Sequence, residues 1–457
     1  MLSKLKNFIS GRTKFTQGAA ILSITTLFSY VTGLLRDRIF AQTFGAGREL
    51  DIYNTSFIIP DILFNILIAG AFSAAFIPVF TGLLAENKRE EANELANTTL
   101  NSAVVAILVF GSLAALFMPV LAKFVAPGFS EAERGTLITL SRFMLISPLI
   151  LTASSAFGAM LIGRKTFLAY GLSPIFYNLG IIFGTFLIPR FGIYGLVIGT
   201  LTGALLHLIP RLVSILYTSY KYGFYFKIRD KNFIKTVKLL IPKMIGHPVE
   251  QFTFLAFTRI ATTLAVGSVA VISFSRNFQS VPVSLFGIAF SVAIFPTLAE
   301  CAAKRDRENF LKNFKKALRD ILIFTVPSAL GLYLLSDLPI RIFLGGGKFS
   351  DENILRTAQV LSIFALSIPT ESLVHLFARS FYALKNTIIP VVLSLTGLII
   401  SITFASLKIK TMGIIAIPYG FFLGSAIEII LLALILRRLL PPSLSSQAKY
   451  LPDSNRE

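Results

Sequence analysis

Tryptophan is absent from the 457 residues, cysteine occurs once, and only 14% of positions are charged. A water-soluble domain carries about a quarter of its residues as Asp, Glu, Lys and Arg, so the shortage of charge excludes an ordinary soluble fold. With Cys301 alone, neither an intrachain disulfide nor a cysteine-built metal site can form, and an inert thiol near a helix end is expected. The missing tryptophan leaves Tyr and Phe to mark any membrane interface. No GxxxxGKS/T, HExxH or GxSxG signature occurs, and the loops are too short for a catalytic domain. No enzyme, cofactor or metal site is therefore expected.

What the chain has is apolar surface, 54% of its residues. Apolar runs near 16–43, 53–84, 98–125, 138–162, 167–188, 193–218, 236–265, 269–298, 317–336, 354–382, 387–407 and 412–436 approach or exceed the roughly 20 residues that cross a ~30 Å hydrocarbon core as helix. They do not alternate polar and apolar as barrel strands do. The expected fold is an all-α polytopic membrane protein of about twelve spans in two six-helix lobes. The net charge of +20 invites a nucleic-acid reading, and its placement argues against one. With a cytoplasmic N-terminus, roughly 27 Lys and Arg fall inside and about 8 outside, the positive-inside pattern of an inner-membrane protein with both termini cytoplasmic. Lys221, Lys227, Arg229, Lys231, Lys235 and Lys238 belong to the inner set, and such a surface attracts anionic membrane lipids. No cleavable signal is evident in the long first apolar segment.

An internal repeat runs through the chain. AQTFGAG at 41–47 is echoed by ATTLAVG at 261–267, FSAAFIP at 72–78 by FSVAIFP at 290–296, and Gly192, Gly199 and Gly203 by Gly413, Gly420 and Gly424. Six spans fit each period, so the halves share one topology, related by an axis along the membrane normal. The expected division is an N-terminal lobe 1–220, a basic linker 221–234, a C-terminal lobe 235–440 and a polar tail 441–457. Two such lobes can rock and expose a central cavity to each side in turn, with substrate between them.

Charged residues deep in a span are costly and face a cavity or a partner. The candidates for a substrate site are Arg36, Asp37, Arg259, Arg276 and Asn277, and those for ion coupling are His247, Glu250, Glu371 and His375. Arg36 and Asp37 are adjacent and point about 100° apart on a helix, so one is expected to line the cavity and the other to tie its helix to a neighbour. Glu371 and His375, four apart, share a face where they can bond each other. His207 and Glu428 read as packing residues. A guanidinium fork matches phosphate oxygens, so an arginine-weighted set favours an anionic substrate, whereas a drug or cation antiporter favours acids.

Residues 28–80 carry a motif block, with Ser29, Gly33, Arg36, Asp37, Phe44, Gly45, Ala46, Gly47, Asp51, Pro60, Gly70, Ala71, Phe72, Ser73, Ala75, Phe76 and Pro78 at its fixed positions. APGF at 126–129, VPVSLFGIAF at 281–290, GKF at 347–349 and FYALKNT at 381–387 follow. This pattern resembles the MurJ/MviN family of lipid II flippases, within the multidrug/oligosaccharidyl-lipid/polysaccharide exporter superfamily. The resemblance implies a two-lobed, alternating-access flippase carrying an undecaprenyl-pyrophosphate-linked peptidoglycan precursor to the outer leaflet, and a monomer is expected. It places Arg36 among the cavity arginines that engage the pyrophosphate, with Asp37 and Asp51 matching other characteristic acids. Tyr30, Phe64 and Asn277 depart from positions where the family carries cations, and Ala69 from a usual Glu, while Arg276 and Arg259 add charge nearby. The resemblance ends after twelve spans, short of two helices that in the family flank a groove for the lipid tail. Rival readings are a flippase for another polyprenyl-linked oligosaccharide, an antiporter of the same fold, and a non-transporting scaffold for envelope synthesis.

Overall fold

The structure, a computed structural model, describes residues 15–69, 71–246 and 248–439. Most of these are helical, with no strand among them beyond an isolated bridge between Gly346 and Phe349. Eight stretches of the described residues are long and apolar enough to cross a membrane, or nine if the bent pair Asp351–Ala365 and Ser367–Ala383 is one span. One of the eight, Ile388–Leu439, has 52 residues and doubles back on itself. The helix Phe15–Phe44 is also long enough at 30 residues, so the architecture is consistent with the expected twelve crossings.

The contacts divide the chain into two compact units. The first takes in the chain up to Ala270 together with Ile342–Asp351. Its helices are α1 Phe15–Phe44, α2 Arg48–Ser56, α3 Ile58–Phe64, α4 Ile77–Ala85, α5 Arg89–Val125, α6 Glu131–Met144, α7 Ile146–Gly163, α8 Leu168–Thr185, the single turn α9 Ile188–Phe191, α10 Tyr194–Leu216, α11 Lys231–Gly246 and α12 Pro248–Thr262. Helix α6 begins at a capping box: Ser130 Oγ accepts from Glu133 N at 3.4 Å, and Ser130 N donates to Glu133 Oε2 at 2.7 Å. A core of Phe72, Phe76, Phe80, Leu95, Phe157 and Met160 fills the space between α4, α5 and α7.

The second unit holds Val271–Arg341 and the chain from Glu352. Its helices are α13 Ser268–Pro282, whose first turn lies in the first unit, α14 Ala289–Ala303, α15 Arg307–Leu334, α16 Asp337–Phe343, whose last two residues lie in the first unit, α17 Asp351–Ala365, whose first residue does, α18 Ser367–Ala383, α19 Ile388–Met412 and α20 Ala416–Leu439. Phe310, Phe314, Ile321, Leu376, Phe377 and Phe381 form its main core.

The repeat reappears in the backbone. Among the described residues the four non-glycine residues with positive φ fall into matched pairs, Asn87 with Arg305 and Lys165 with Lys385, and Gly192 pairs likewise with Gly413. Wide π-helical turns also recur, at Asn65–Ala69 and Ala71–Phe76 in the first unit and at Val283–Ile288 in the second. Left-handed residues end helices because the turn there needs a conformation that side chains resist. Their recurrence means the two halves turn at corresponding points.

Within each half, one hairpin packs backbone on backbone. A Cβ on Gly184 of α8 would come within 2.7 Å of Gly195 O and of Gly199 Cα on α10. In the second unit a Cβ on Gly420 of α20 would lie 2.5 Å from Ser401 O on α19. Small residues admit this approach, and dispersion across it replaces the hydrophobic drive that lipid does not supply.

Candidate functional site

Arg36 lies on α1 with its side chain 25% exposed. Its Nε and Nη2 donate to Asp37 Oδ1 at 3.1 and 2.8 Å, and its Nη1 donates to Asn178 Oδ1 on α8 at 3.1 Å. Adjacent Cβ atoms do diverge, yet the long arginine stem curls back to the neighbouring carboxylate. The expected separation of tasks between Arg36 and Asp37 is thus replaced by one ion pair. Asn178 in turn donates Nδ2 to Ser29 O at 3.3 Å and Thr32 Oγ1 at 3.4 Å, which fixes which way its carbonyl faces. Three of the five guanidinium N–H groups are engaged, leaving two to offer an incoming oxygen. Sequence reasoning missed Asn178, an uncharged residue in an apolar run.

Asp51 is 1% exposed and acts as a cap. Its Oδ2 accepts from Gly267 N at 2.7 Å and its Oδ1 from Ala270 N at 2.9 Å, neutralising orphan donors at the start of α13. Arg259 on α12 donates to the carbonyl of Phe124 in the last turn of α5 and stands 4.6 Å from the Phe124 ring centroid. A cation at a helix C-terminus answers unpaired carbonyls, so the structure gives Arg259 the helix-terminus task. Arg38 does similar work, with Nη1 donating to Ile342 O at 2.7 Å.

In the second unit Arg276 is 9% exposed and forms a two-pronged ion pair with Glu371 of α18, Nη1 to Oε2 at 2.7 Å and Nη2 to Oε1 at 2.6 Å. Gln279 closes the cluster: it accepts from Arg276, and its Nε2 donates to Glu371 Oε2 at 2.8 Å and Ser367 Oγ at 3.1 Å. The Phe421 ring lies 4.7 Å from the guanidinium carbon. The fork of Arg276 occupies Glu371, which the sequence pattern pairs with His375. The His375 carbonyl instead accepts from Arg379 Nη1 at 3.2 Å. Asn277, half-buried beside Arg276, accepts from Ser280 Oγ through its carbonyl at 2.9 Å. Glu250 is exposed in the first turn of α12, and His247 lies outside the described residues. Among the described residues no group of three or more His, Cys, Asp or Glu is placed to hold a metal ion.

Three further polar side chains sit deep in the hairpins. Arg211 is 5% exposed and donates to Ser173 Oγ and Ser154 O, both at 3.0 Å, and to Tyr170 O at 3.4 Å. The Ser154 hydroxyl shares a 2.8 Å hydrogen bond with His207 Nδ1, and Ser394 Oγ donates to Glu428 Oε1 at 2.5 Å. Sequence reasoning missed Arg211, although it is a charge inside the 193–218 run.

The geometry supplies one partly exposed guanidinium held by the Asp37 carboxylate and the Asn178 amide, and one buried guanidinium held by the Glu371 carboxylate and the Gln279 amide. Against known proteins, the sequence model of the family described as "Lipid II flippase MurJ" matches residues 40–451. The chain belongs to the MurJ lipid II flippase family. A MurJ relative from Thermosipho africanus, named "Lipid II flippase MurJ", is 29% identical over 88% of this chain and 84% of its own length. One from Thermotoga maritima, named "Probable lipid II flippase MurJ", is 30% identical over 86% and 79%. A solved structure titled "Lipid II flippase MurJ, inward closed conformation" superposes with a TM-score of 0.79 at 26% identity, covering 92% of this chain and 87% of that one. An inward-facing multidrug MATE transporter superposes at a TM-score of 0.76 and 13% identity, a likeness of fold. The MurJ family fixes a multi-pass bacterial inner-membrane setting and a transporter's architecture.

Proposed function

We propose that this protein is a flippase that carries lipid II, the lipid-linked peptidoglycan precursor, from the cytoplasmic to the outer leaflet by alternating access. The observation that carries the reading is the MurJ family match over residues 40–451. An enzyme is not part of it, because moving a lipid across a bilayer makes and breaks no covalent bond.

Arg36 is the proposed anchor for the pyrophosphate. A pyrophosphate leaving water loses hydration that only charge-assisted hydrogen bonds from fixed donors replace, and Arg36 has two N–H groups to give while Asp37 and Asn178 hold its plane. Arg276 is the proposed second cation, with Asn277 beside it, released when Glu371 takes up a proton or yields its fork to a phosphate. His247, Glu250 and His375 remain nominees for coupling. Asp51 and Arg259 belong to the scaffold in this reading, since their polar groups close helix ends. A monomer with both termini in the cytoplasm completes the proposal. Cysteines placed at Ser445 and Gly346 in a Cys301-free background should label from opposite faces.

The test is complementation of a conditional lipid II flippase mutant, scored by accessibility of lipid II on the outer leaflet. Wild type should restore it, Arg36→Lys should restore it poorly, and Arg36→Ala should fail while inserting normally. Full rescue by Arg36→Ala would remove Arg36 from the site. Growth rescue without outer-leaflet lipid II would favour the scaffold reading.

A further inference from the structure

Helix α5 is longer than a membrane is thick. Its 37 residues extend about 55 Å at 1.5 Å per residue, whereas the hydrocarbon core needs about 20 residues. Residues 103–122 form one uncharged apolar stretch of that length, and residues 89–102 before it are polar. The hydrocarbon boundary on α5 therefore falls just after Asn101, with Val105, Leu108 and Val109 the first large apolar side chains exposed beyond it.

Along the polar end of α5, Asn93, Asn97 and Asn101 stand four residues apart on one face. Each amide donates to a backbone carbonyl of the segment after α10: Asn93 to Ser219 at 3.4 Å, Asn97 to Lys221 at 2.9 Å, and Asn101 to Gly223 at 3.2 Å and Tyr225 at 3.1 Å. Tyr220 and Tyr222 return hydroxyl bonds to Asn97 and Asn101. The chain then climbs back, Lys227 N donating to Thr98 Oγ1 at 3.4 Å and Lys227 Nζ to Glu94 Oε1 at 2.6 Å. Residues 219–231 thus form a loop that descends α5 to Asn101 and returns. Its tip is held at the boundary, with Phe224 80% exposed and in ring contact with Phe226 at 5.3 Å. Lys221, Lys227, Arg229 and Lys231, all exposed, flank the tip on the water side.

We infer that this loop is an interfacial anchor whose aromatic tip enters the headgroup region of the leaflet and whose basic flanks bind anionic phospholipid headgroups. Aromatic rings partition to that depth, and an exposed Phe pair at the hydrocarbon boundary gains there what water denies it. The occupant is a lipid surface because tip and flanks are ordered along the membrane normal, apolar inward and cationic outward.

The absence of tryptophan makes the test direct. Phe224→Trp creates a single fluorophore in the full chain, reconstituted in nanodiscs with brominated phospholipids, with Lys304→Trp in an exposed turn as reference. Bromine near the headgroup end of the acyl chains should quench the Trp at 224 and leave the reference bright; Tyr222→Trp serves if the first variant folds poorly. Asn97→Ala with Asn101→Ala should release the tip and reduce quenching. Replacing Lys221, Lys227, Arg229 and Lys231 with Gln should weaken retention of phosphatidylglycerol over phosphatidylcholine, by about fivefold for the first charge removed at low salt. An unquenched, water-like Trp, or a blue-shifted Trp that no lipid bromine reaches, would overturn insertion. Unchanged phosphatidylglycerol preference in the Gln variant would overturn headgroup binding.

Discussion

The hairpins α8–α10 and α19–α20 occupy corresponding places in the two halves, and they keep their shape while exchanging their chemistry. Gly192 and Gly413, 221 residues apart, turn at φ +56° and +62°. Gly180, Gly184, Gly199 and Gly203 answer to Ser401, Ala405, Gly420 and Gly424 at the same offset, and in both hairpins these small residues bring backbones into contact. The polar positions follow a different rule. Ser173 and Ser394 correspond, yet the first accepts from Arg211 and the second donates to Glu428. His207 stands where Glu428 stands, and Arg211 where Leu432 stands. Close packing therefore dictates residue size in both halves, while the buried hydrogen bond only demands some partner of opposite character.

The largest effect should come from the shared feature. Gly199→Val and Gly420→Val should both prevent a monodisperse folded protein on size exclusion, because the added atoms meet backbone that cannot turn away, at a cost of at least 1–3 kcal/mol for overpacking, roughly. If either variant folds with an unchanged unfolding temperature, the hairpins do not pack alike. Next comes the contrast between the two guanidiniums. Arg276→Ala leaves Glu371 buried without its partner and should cost about 3–5 kcal/mol, whereas replacing the pair together by Met and Leu should recover most of the loss. Arg36→Ala should lower thermal stability less than Arg276→Ala, since Arg36 is more exposed, while damaging transport more. Arg211→Leu, which gives the first hairpin the residue of the second, strands the carbonyls of Ser154 and Tyr170 and should cost about 1–3 kcal/mol by thermal unfolding in detergent. Last come Gly192→Ala and Gly413→Ala: both turns combine positive φ with ψ of −143° and −145°, backbone that essentially only glycine adopts, so strain of about 1–3 kcal/mol acts alone, for no atom lies within 4 Å of the added carbon. Unequal losses for these two turns would separate the halves where the backbone joins them.

The helical class, the spans and the 220-residue period were legible because burial in lipid writes itself into long uncharged runs, and a duplicated fold repeats its turns. The site was legible in part. Arg36, Asp37, Arg276 and Glu371 stood out as costly charges in apolar runs, but spacing along a helix could not reveal that Glu371 meets Arg276 on another helix rather than His375 on its own. The bond from Arg259 to the Phe124 carbonyl was not legible, because sequence does not show that α5 ends beside it. The Asn93, Asn97 and Asn101 series was periodic and visible, yet its partners are carbonyls of a segment with no period, so nothing in the letters announced the pairing.

The glycine-lined hairpins also bear on motion. Two helices whose backbones touch leave no lipid between them and no side-chain layer to slide, so each hairpin travels as one stiff strut. Deformation in a transport cycle then concentrates in softer segments. The wide turns at Asn65–Ala69, Ala71–Phe76 and Val283–Ile288 are such segments, since helical hydrogen bonding there already departs from its regular register and can be reset by one residue. Their recurrence gives each half its own elbow beside its own strut, an arrangement in which bending is local and the long hairpins serve as levers.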